Sequence, residues 1–225
     1  LGDWRLWLVV ARLGAAPYPP ASRSNDLWFQ HFAVVTADMS GAMKRLAAAG
    51  PIDAIGTGGA QKLPPGDGGV TAFKFRDPDG HPLEFLSFPL GAAPERWARP
   101  AEGRLILGVD HSAIAVADTA ASVRFYGQRL GLAVSERTLN RGSAQSRLDD
   151  LPDPVVEVTA LSPAGRNGPH VELLCYSQPP GGRPAIGRIA DGDIAASRLV
   201  FEADEGGGPM ADPDGHRLLT TLRRG

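Results

Sequence analysis

Two histidines and two glutamates hold matching positions in apolar strand candidates, and these side chains are the ones best suited to chemistry. His31 and His111 each lie in the first strand candidate of a repeated pattern, and Glu84 and Glu172 each lie in its last one. A lone carboxylate in an apolar strand is costly to bury unless it is paired or bound to a metal. The four side chains are therefore the first candidates for a functional site.

Strand alternation predicts which way the histidines point. His111 shares one face of its strand with Ala113 and Ala115, while Ile114 and Val116 lie on the other face. The branched face suits packing on a helix, so the histidine points away from the helix among small neighbours that leave room. The strand around the first histidine repeats this arrangement.

The elements that position these residues recur along the chain. Each histidine strand is followed by a helix candidate that begins near an aspartate, at Asp38 and at Asp118, and that ends at a glycine. The sequence Asp-Pro-Asp-Gly-His occurs at 77–81 and again at 212–216, and it is typical of a tight turn between strands. The order of elements in each complete unit is strand, helix and three strands.

We therefore divide the chain into two complete βαβββ modules and three flanking parts. In chain order, the five segments are a terminal strand of a partial module with a Pro-rich connection (1–26), a βαβββ module (27–90), a linker (91–105), a second βαβββ module (106–177) and a degenerate or truncated module (178–225). Leu6–Val10 is the predicted terminal strand, and the chain opens at Leu1 rather than at methionine, which is compatible with a missing native N-terminus.

This pattern resembles the vicinal oxygen chelate superfamily, which includes glyoxalase I, extradiol dioxygenases, methylmalonyl-CoA epimerase and bleomycin-resistance proteins. The segment 122–132 is similar to the family's helix-to-strand signature, and the segment 75–84 is similar to its terminal hairpin. The resemblance implies an α+β fold in which paired βαβββ modules form cup-shaped mixed sheets around a metal. It places His31, Glu84, His111 and Glu172 in the ligand positions.

The chemistry implied by the resemblance is that of a divalent metal. Imidazole and carboxylate ligands suit Fe, Mn, Ni, Co or Zn, and four protein ligands leave two octahedral positions for two substrate oxygens. The metal would act as a Lewis acid on a small oxygen-rich substrate, with Glu172 or Glu84 as general base. The expected activity is that of a metal-dependent lyase, isomerase or dioxygenase.

Two other functions stay open. Family members that have lost the metal bind small molecules or sequester antibiotics, and the fragments at both ends also suit a regulatory module of a larger chain. In the last unit, Arg198 and Leu219 replace the histidine and the glutamate, so that unit cannot supply the same ligands. Lys74 lies near the position of a tyrosine found in extradiol dioxygenases, which disfavours ring cleavage. Lys74 and His170 are predicted to line the substrate site.

Glu172 has few polar neighbours in the sequence, because Val171 and Leu173 flank it. Without a cation we expect this carboxyl to be protonated or to reach water. Among the remaining candidates, we interpret His81 and His216 as structural residues that follow turn glycines. We expect the other side chains to be inert: Cys175 packed against a helix, Trp28 in the core, and the aspartates of the two repeats as turn formers.

Composition narrows the class of protein further. The 225 residues are 43% hydrophobic and 21% charged with a net charge of −2, which is ordinary for a globular protein and disfavours nucleic acid as a partner. One cysteine rules out an internal disulfide and fits a reducing compartment, so we expect a cytoplasmic protein. No apolar run approaches the roughly 18 residues of a membrane span, so we expect no membrane partner. The two modules are expected to close one cup, either within the chain or by exchange in a homodimer.

Overall fold

The structure is a computed structural model that describes residues 5–67, 69–98, 102–163, 170–180, 182–184, 189–204 and 207–222. Its first elements are β1 (Gln30–Thr36), α1 (Met39–Ala49), β2 (Asp53–Ala54), β3 (Gln61–Lys62), β4 (Thr71–Arg76), β5 (Pro82–Ser87) and α2 (Glu95–Ala98). They are followed by β6 (Ile106–Ala115), α3 (Thr119–Leu130), β7 (Leu132–Arg141), α4 (Ser143–Asp149), β8 (Val155–Pro163) and β9 (His170–Gln178). The last strands are β10 (Arg198–Ala203), β11 (Gly208–Ala211) and β12 (Arg217–Leu222).

Within the described residues, nine strands form one mixed sheet in the order β2-β4-β5-β1-β6-β9-β8-β7, with β3 also paired to β4. The two histidine strands, β1 and β6, pair antiparallel at its centre, and β5 and β9 flank them in parallel. The predicted α+β class, with a large mixed sheet and few helices, is confirmed.

The helix α3 shows how the local sequence sets the elements beside the site. Asp118 accepts a hydrogen bond from the Ala121 amide at 3.0 Å, and Gly131 ends the helix in the left-handed region with φ of 66°. Asp38 holds the equivalent position before α1, but its side chain makes no capping bond. One aspartate therefore caps its helix as predicted and the other does not.

The three C-terminal strands form a second sheet, in the order β10-β12-β11, that packs on α3. Leu199 and Leu218 of this sheet join the core that includes Tyr126 of α3 and Leu173 of β9. His216 contacts the backbone carbonyl of Ala115 at 2.8 Å through Nε2. The C-terminal strands thus share one core with α3 and with strands of the large sheet.

Tyr126 anchors this contact, and removing its hydroxyl should loosen the contact. The Tyr126 hydroxyl donates to Asp212 Oδ2 at 3.0 Å, and both side chains are buried. Tyr126→Phe leaves the carboxylate one donor short, so we expect the free energy of unfolding to fall by about 1.5–3 kcal/mol. Urea unfolding followed by circular dichroism measures this, and a loss under about 0.5 kcal/mol would show that the bond does not hold the second sheet.

Three sequence predictions about elements differ from the structure. The predicted strand Leu6–Val10 is wrong: residues 5–12 have no regular structure, and their apolar side chains are exposed because they pair with no strand in the described parts of the chain. The second strand of the first unit, expected near 54–63, is split into β2 and β3. Helix α4 lies between β7 and β8, where none was predicted. None of the described helices is long and apolar enough to cross a membrane.

Candidate functional site

The register of the four central strands brings the two histidines and two glutamates onto one face of the large sheet. Ala33 of β1 is paired with Glu84 on one side and with His111 on the other. Ala113 of β6 is paired in the same way with Glu172 and His31. Residues paired across strands share a face, so all four side chains converge around two alanines.

Each of the four side chains lies within 4 Å of at least one other in a single chain. His31 Nε2 is 2.9 Å from Glu84 Oε2, and His111 Nε2 is 3.8 Å from the same oxygen and 3.5 Å from Glu172 Oε2. The ring centroids of His31 and His111 are 5.9 Å apart, so no second copy is required to bring them together. His31, Glu84 and His111 each offer one ligand atom within 4.8 Å of the others.

Burial makes this cluster unusual. His31, His111 and Glu84 are buried, and the Glu172 side chain is 21% exposed. His111 Nε2 and His31 Nδ1 are buried without a hydrogen-bond partner among the described residues. Buried polar atoms without partners are rare in native proteins, and they often mark a place for a ligand or an ion.

The electrostatics of the two carboxylates favour their ionised forms. Burial raises the pKa of Glu84, but the adjacent imidazoles of His111 and His31 and the ammonium of Lys74 lower it more, so the net pKa lies well below the usual range. Burial likewise raises the pKa of Glu172, and the charges of His111 and His170 outweigh it, so its pKa is also lowered. Of the two expectations for Glu172, protonation is not favoured, because its polar neighbours are near in space and not in sequence. The other expectation, contact with water, agrees with a side chain that is 21% exposed.

The two histidines differ in charge. Burial lowers the pKa of His111, but Glu172 and Asp110 beside it raise the pKa well above its ordinary value. Burial also lowers the pKa of His31, and Glu84 only partly offsets this, so its net pKa is lowered. The His111 imidazole therefore carries the positive charge that balances the carboxylates, and the His31 imidazole is neutral.

Lys74, predicted to line the site, forms a buried ion pair beside the two histidines and two glutamates, which we call the quartet. Its Nζ is 2.6 Å from Asp149 Oδ1, and Asp149 Oδ2 accepts hydrogen bonds from Gln145 Nε2 at 2.7 Å and from the Tyr176 hydroxyl at 3.0 Å. Burial lowers the pKa of Lys74, but Asp149 and Glu84 raise it more, so the ammonium stays charged. Sequence analysis missed Asp149, because no motif marks the end of α4.

His170, also predicted to line the site, stands next to Glu172. Its Nε2 is 3.2 Å from Glu172 Oε1, and its ring centroid is 5.3 Å from that of His111. Asp110, His111 and His170 form a second group whose ligand atoms lie within 4.8 Å of one another. The adjacency of Asp110 to His111 was a visible signal that sequence analysis did not use.

A cavity of about 230 Å³ opens over the quartet, and we call it the cup. Its polar lining includes the quartet with Lys74, Asp110 and His170. Its apolar lining comes from both halves of the chain and includes Leu63, Phe88, Leu148, Val158 and Leu174. The cup thus combines a polar floor with apolar walls, as is usual for small-molecule sites.

The remaining candidates lie outside the cup. His81 Nε2 is 2.6 Å from the Ile194 carbonyl, and the buried Trp28 donates from Nε1 to Ser22 Oγ at 3.1 Å. Cys175 is partly buried against the core around α3, with its sulfur 3.6 Å from the Ala117 carbonyl. These contacts are those of structural residues.

Comparison with known proteins agrees with this fold. Residues 108–211 match the sequence model of the Glyoxalase/Bleomycin resistance protein/Dioxygenase superfamily. This match confirms the resemblance to the vicinal oxygen chelate superfamily over less than half of the chain, from within β6 to the end of β11. No curated protein sequence matches the chain significantly.

Solved structures with the same fold include glyoxalase I from Zea mays. A mutant of that enzyme superposes with a TM-score of 0.51 at 13% identity, covering 84% of this chain and 66% of that one. The unmutated enzyme gives a TM-score of 0.50 at 15% identity, covering 85% and 66%. Methylmalonyl-CoA epimerase from Mycobacterium tuberculosis gives 0.45 at 18% identity, covering 70% and 91%. The chain thus spans about two thirds of the glyoxalase I chain and shares its fold.

Proposed function

We propose that this chain is a metal-dependent enzyme of the glyoxalase/dioxygenase type that acts on a small oxygen-rich substrate. The observation that carries the proposal is the buried His111 Nε2, which has no hydrogen-bond partner among the described residues and faces Glu84 and Glu172 at 3.8 and 3.5 Å. A cation at this point would satisfy the imidazole and both carboxylates together. The donor set of two nitrogens and two carboxylates fits a divalent metal.

The four residues would hold Fe, Mn, Ni, Co or Zn: His31, Glu84, His111 and Glu172. When bound, the metal supplies Lewis-acid stabilisation to two oxygens of the substrate. Metal binding requires His111 to lose its proton, because only a neutral imidazole is a ligand.

Proton transfer is assigned to Glu172, with Glu84 as the alternative base. Glu172 is the more exposed of the two carboxylates, and its Oε1 faces His170 at 3.2 Å, so it can accept a substrate proton on the open side of the cup. The Lys74 ammonium carries three N–H groups, and Asp149 is its single hydrogen-bond partner in the described chain. Its other N–H groups can donate to a substrate oxygen. These roles favour a lyase or isomerase that moves a proton.

Metal content tests the proposal directly. Protein purified without chelator or added metal is expected to contain about one divalent metal per chain by elemental analysis. The loaded protein should also bind oxalate, a dianion with two adjacent oxygen donors, and the metal-free protein should not. Absence of metal after reconstitution with all five ions would contradict the enzyme proposal.

The metal-free alternative rests on a different contact. His31 and Glu84 satisfy each other directly at 2.9 Å, so part of the quartet is stable without a cation. The apolar walls of the cup would then hold a hydrophobic small molecule, as in a resistance protein of the same fold. Retained small-molecule binding in protein that never takes up metal would favour this second function.

A further inference from the structure

Asp110 contacts His111 at Nδ1, the ring nitrogen that does not face Glu84 and Glu172. An irregularity in β6 turns the Asp110 side chain toward this nitrogen. Along β1 and β6 the partner of Ala33 is His111, whereas the partner of the next residue, Val34, is Val109. Asp110 is skipped in this register, as is the extra residue of a β-bulge, and bulges re-aim side chains. Asp110 is buried, and its Oδ2 lies 3.1 Å from Nδ1 of its neighbour His111.

The other oxygen of Asp110 is held by the short helix α2. Asp110 Oδ1 accepts a hydrogen bond from Arg96 Nη2 at 2.6 Å and another from Trp97 Nε1 at 2.7 Å. The Arg96 guanidinium also lies over the Trp97 ring, 5.2 Å from its centroid. Two donors hold this oxygen in place, and the second oxygen is directed at the His111 imidazole, with His170 Nε2 farther away at 3.9 Å.

This arrangement determines which nitrogen of His111 carries the proton. A carboxylate accepts hydrogen bonds, so Nδ1 must be protonated, and the free lone pair of the neutral ring is then on Nε2. Nε2 is the atom that faces Glu84 and Glu172. His31 has no such support: its Nδ1 is buried and has no partner among the residues that the structure describes.

We propose that Asp110, clamped by Arg96 and Trp97 of α2, is the positioning residue that fixes the His111 tautomer and directs Nε2 into the cup. The inference deepens the proposed function and rests on it for the identity of the ligand. It also gives a function to the segment 91–105, which the sequence suggests is only a linker. A carboxylate behind a metal-binding histidine raises the basicity of the imidazole and fixes its orientation.

Asp110→Asn tests this with a defined outcome. Arg96 and Trp97 require an acceptor, so they should hold the amide oxygen and leave the amide N–H₂ facing His111 Nδ1. The imidazole proton then moves to Nε2, which becomes a donor instead of a ligand. We expect affinity for Zn²⁺, measured by competition with a chromophoric chelator, to fall by about ten- to hundredfold. Asp118→Asn, which removes the same charge at the exposed cap of α3, should leave the affinity unchanged.

The tautomer itself is read by ¹⁵N NMR of histidine-labelled, metal-free protein at alkaline pH, where imidazoles are neutral. The His111 signals are assigned by their loss in His111→Gln. The wild type should show protonated Nδ1, and Asp110→Asn should show protonated Nε2. A purely structural Asp110 would leave the tautomer unchanged and so overturn the inference, and so would a wild type with protonated Nε2, even if the variant fails to fold. Wild-type protein that binds no Zn²⁺ contradicts the proposed function, while the NMR result still decides the role of Asp110.

Discussion

Glu172→Gln is expected to remove most of the bound metal and to abolish turnover while the fold stays intact. The amide keeps the volume of the side chain and can still accept a hydrogen bond from His170. It loses the negative charge of Glu172, whose Oε2 lies 3.5 Å from His111 Nε2 and would help to hold a cation. Loss of a general base alone lowers turnover by about 10²–10⁴-fold. Elemental analysis and activity assays on the purified variant measure both effects.

A matched control is available on the neighbouring strand. Glu157 of β8 is paired with Cys175, three residues along β9 from Glu172, and therefore lies on the opposite face of the sheet. Glu157→Gln removes the same charge outside the cup. This control should keep the metal content and activity of the wild type. Full metal occupancy in Glu172→Gln would show that Glu172 is not a ligand. A higher melting temperature with unchanged small-molecule binding would instead favour the metal-free binding protein.

Strand alternation was sufficient to place the quartet on one face, because the two-residue period is a local property of the sequence. The same rule could not find Asp110. A bulge shifts the register at that position and turns the Asp110 side chain toward the site. Regular alternation would direct that side chain away from the site. The role of His31, Glu84, His111 and Glu172 as metal ligands stays a prediction, although the structure brings them together.

Contacts between segments that are distant in the sequence could not be predicted for a different reason. Lys74 and Asp149 are 75 positions apart, and they meet because α4 of the second half reaches across to β4 of the first. The environment of Glu172 was misjudged for the same reason, since His111 approaches it from another strand. Leu6–Val10 has the composition of a strand but no partner strand in the described chain, and pairing is what defines a strand.

Lys74→Met is expected to lower the free energy of unfolding by about 3–5 kcal/mol, the loss typical when one partner of a buried ion pair is removed. The Asp149 side chain is fully buried, and its ion pair with Lys74 is the contact that neutralises it. Gln145 and Tyr176 would still donate to the carboxylate, but they carry no charge to compensate it. Urea unfolding in the presence of a chelator measures this loss without a contribution from bound metal.

The double variant Lys74→Met/Asp149→Asn separates the buried charge from the lost contacts. Its asparagine oxygen can accept the bonds from Gln145 and Tyr176, so no charge is left uncompensated, and we expect it to be more stable than Lys74→Met alone. Lys62→Met, at an exposed lysine of β3, should change the free energy of unfolding by less than about 0.5 kcal/mol. If Lys74→Met loses under about 1 kcal/mol, or if the double variant is less stable than the single one, Asp149 does not carry a buried charge. The charge that we assign to Lys74 at the substrate oxygen would then rest on Glu84 and Glu172 alone, because the ion pair with Asp149 at 2.6 Å is the largest of the interactions that raise its pKa.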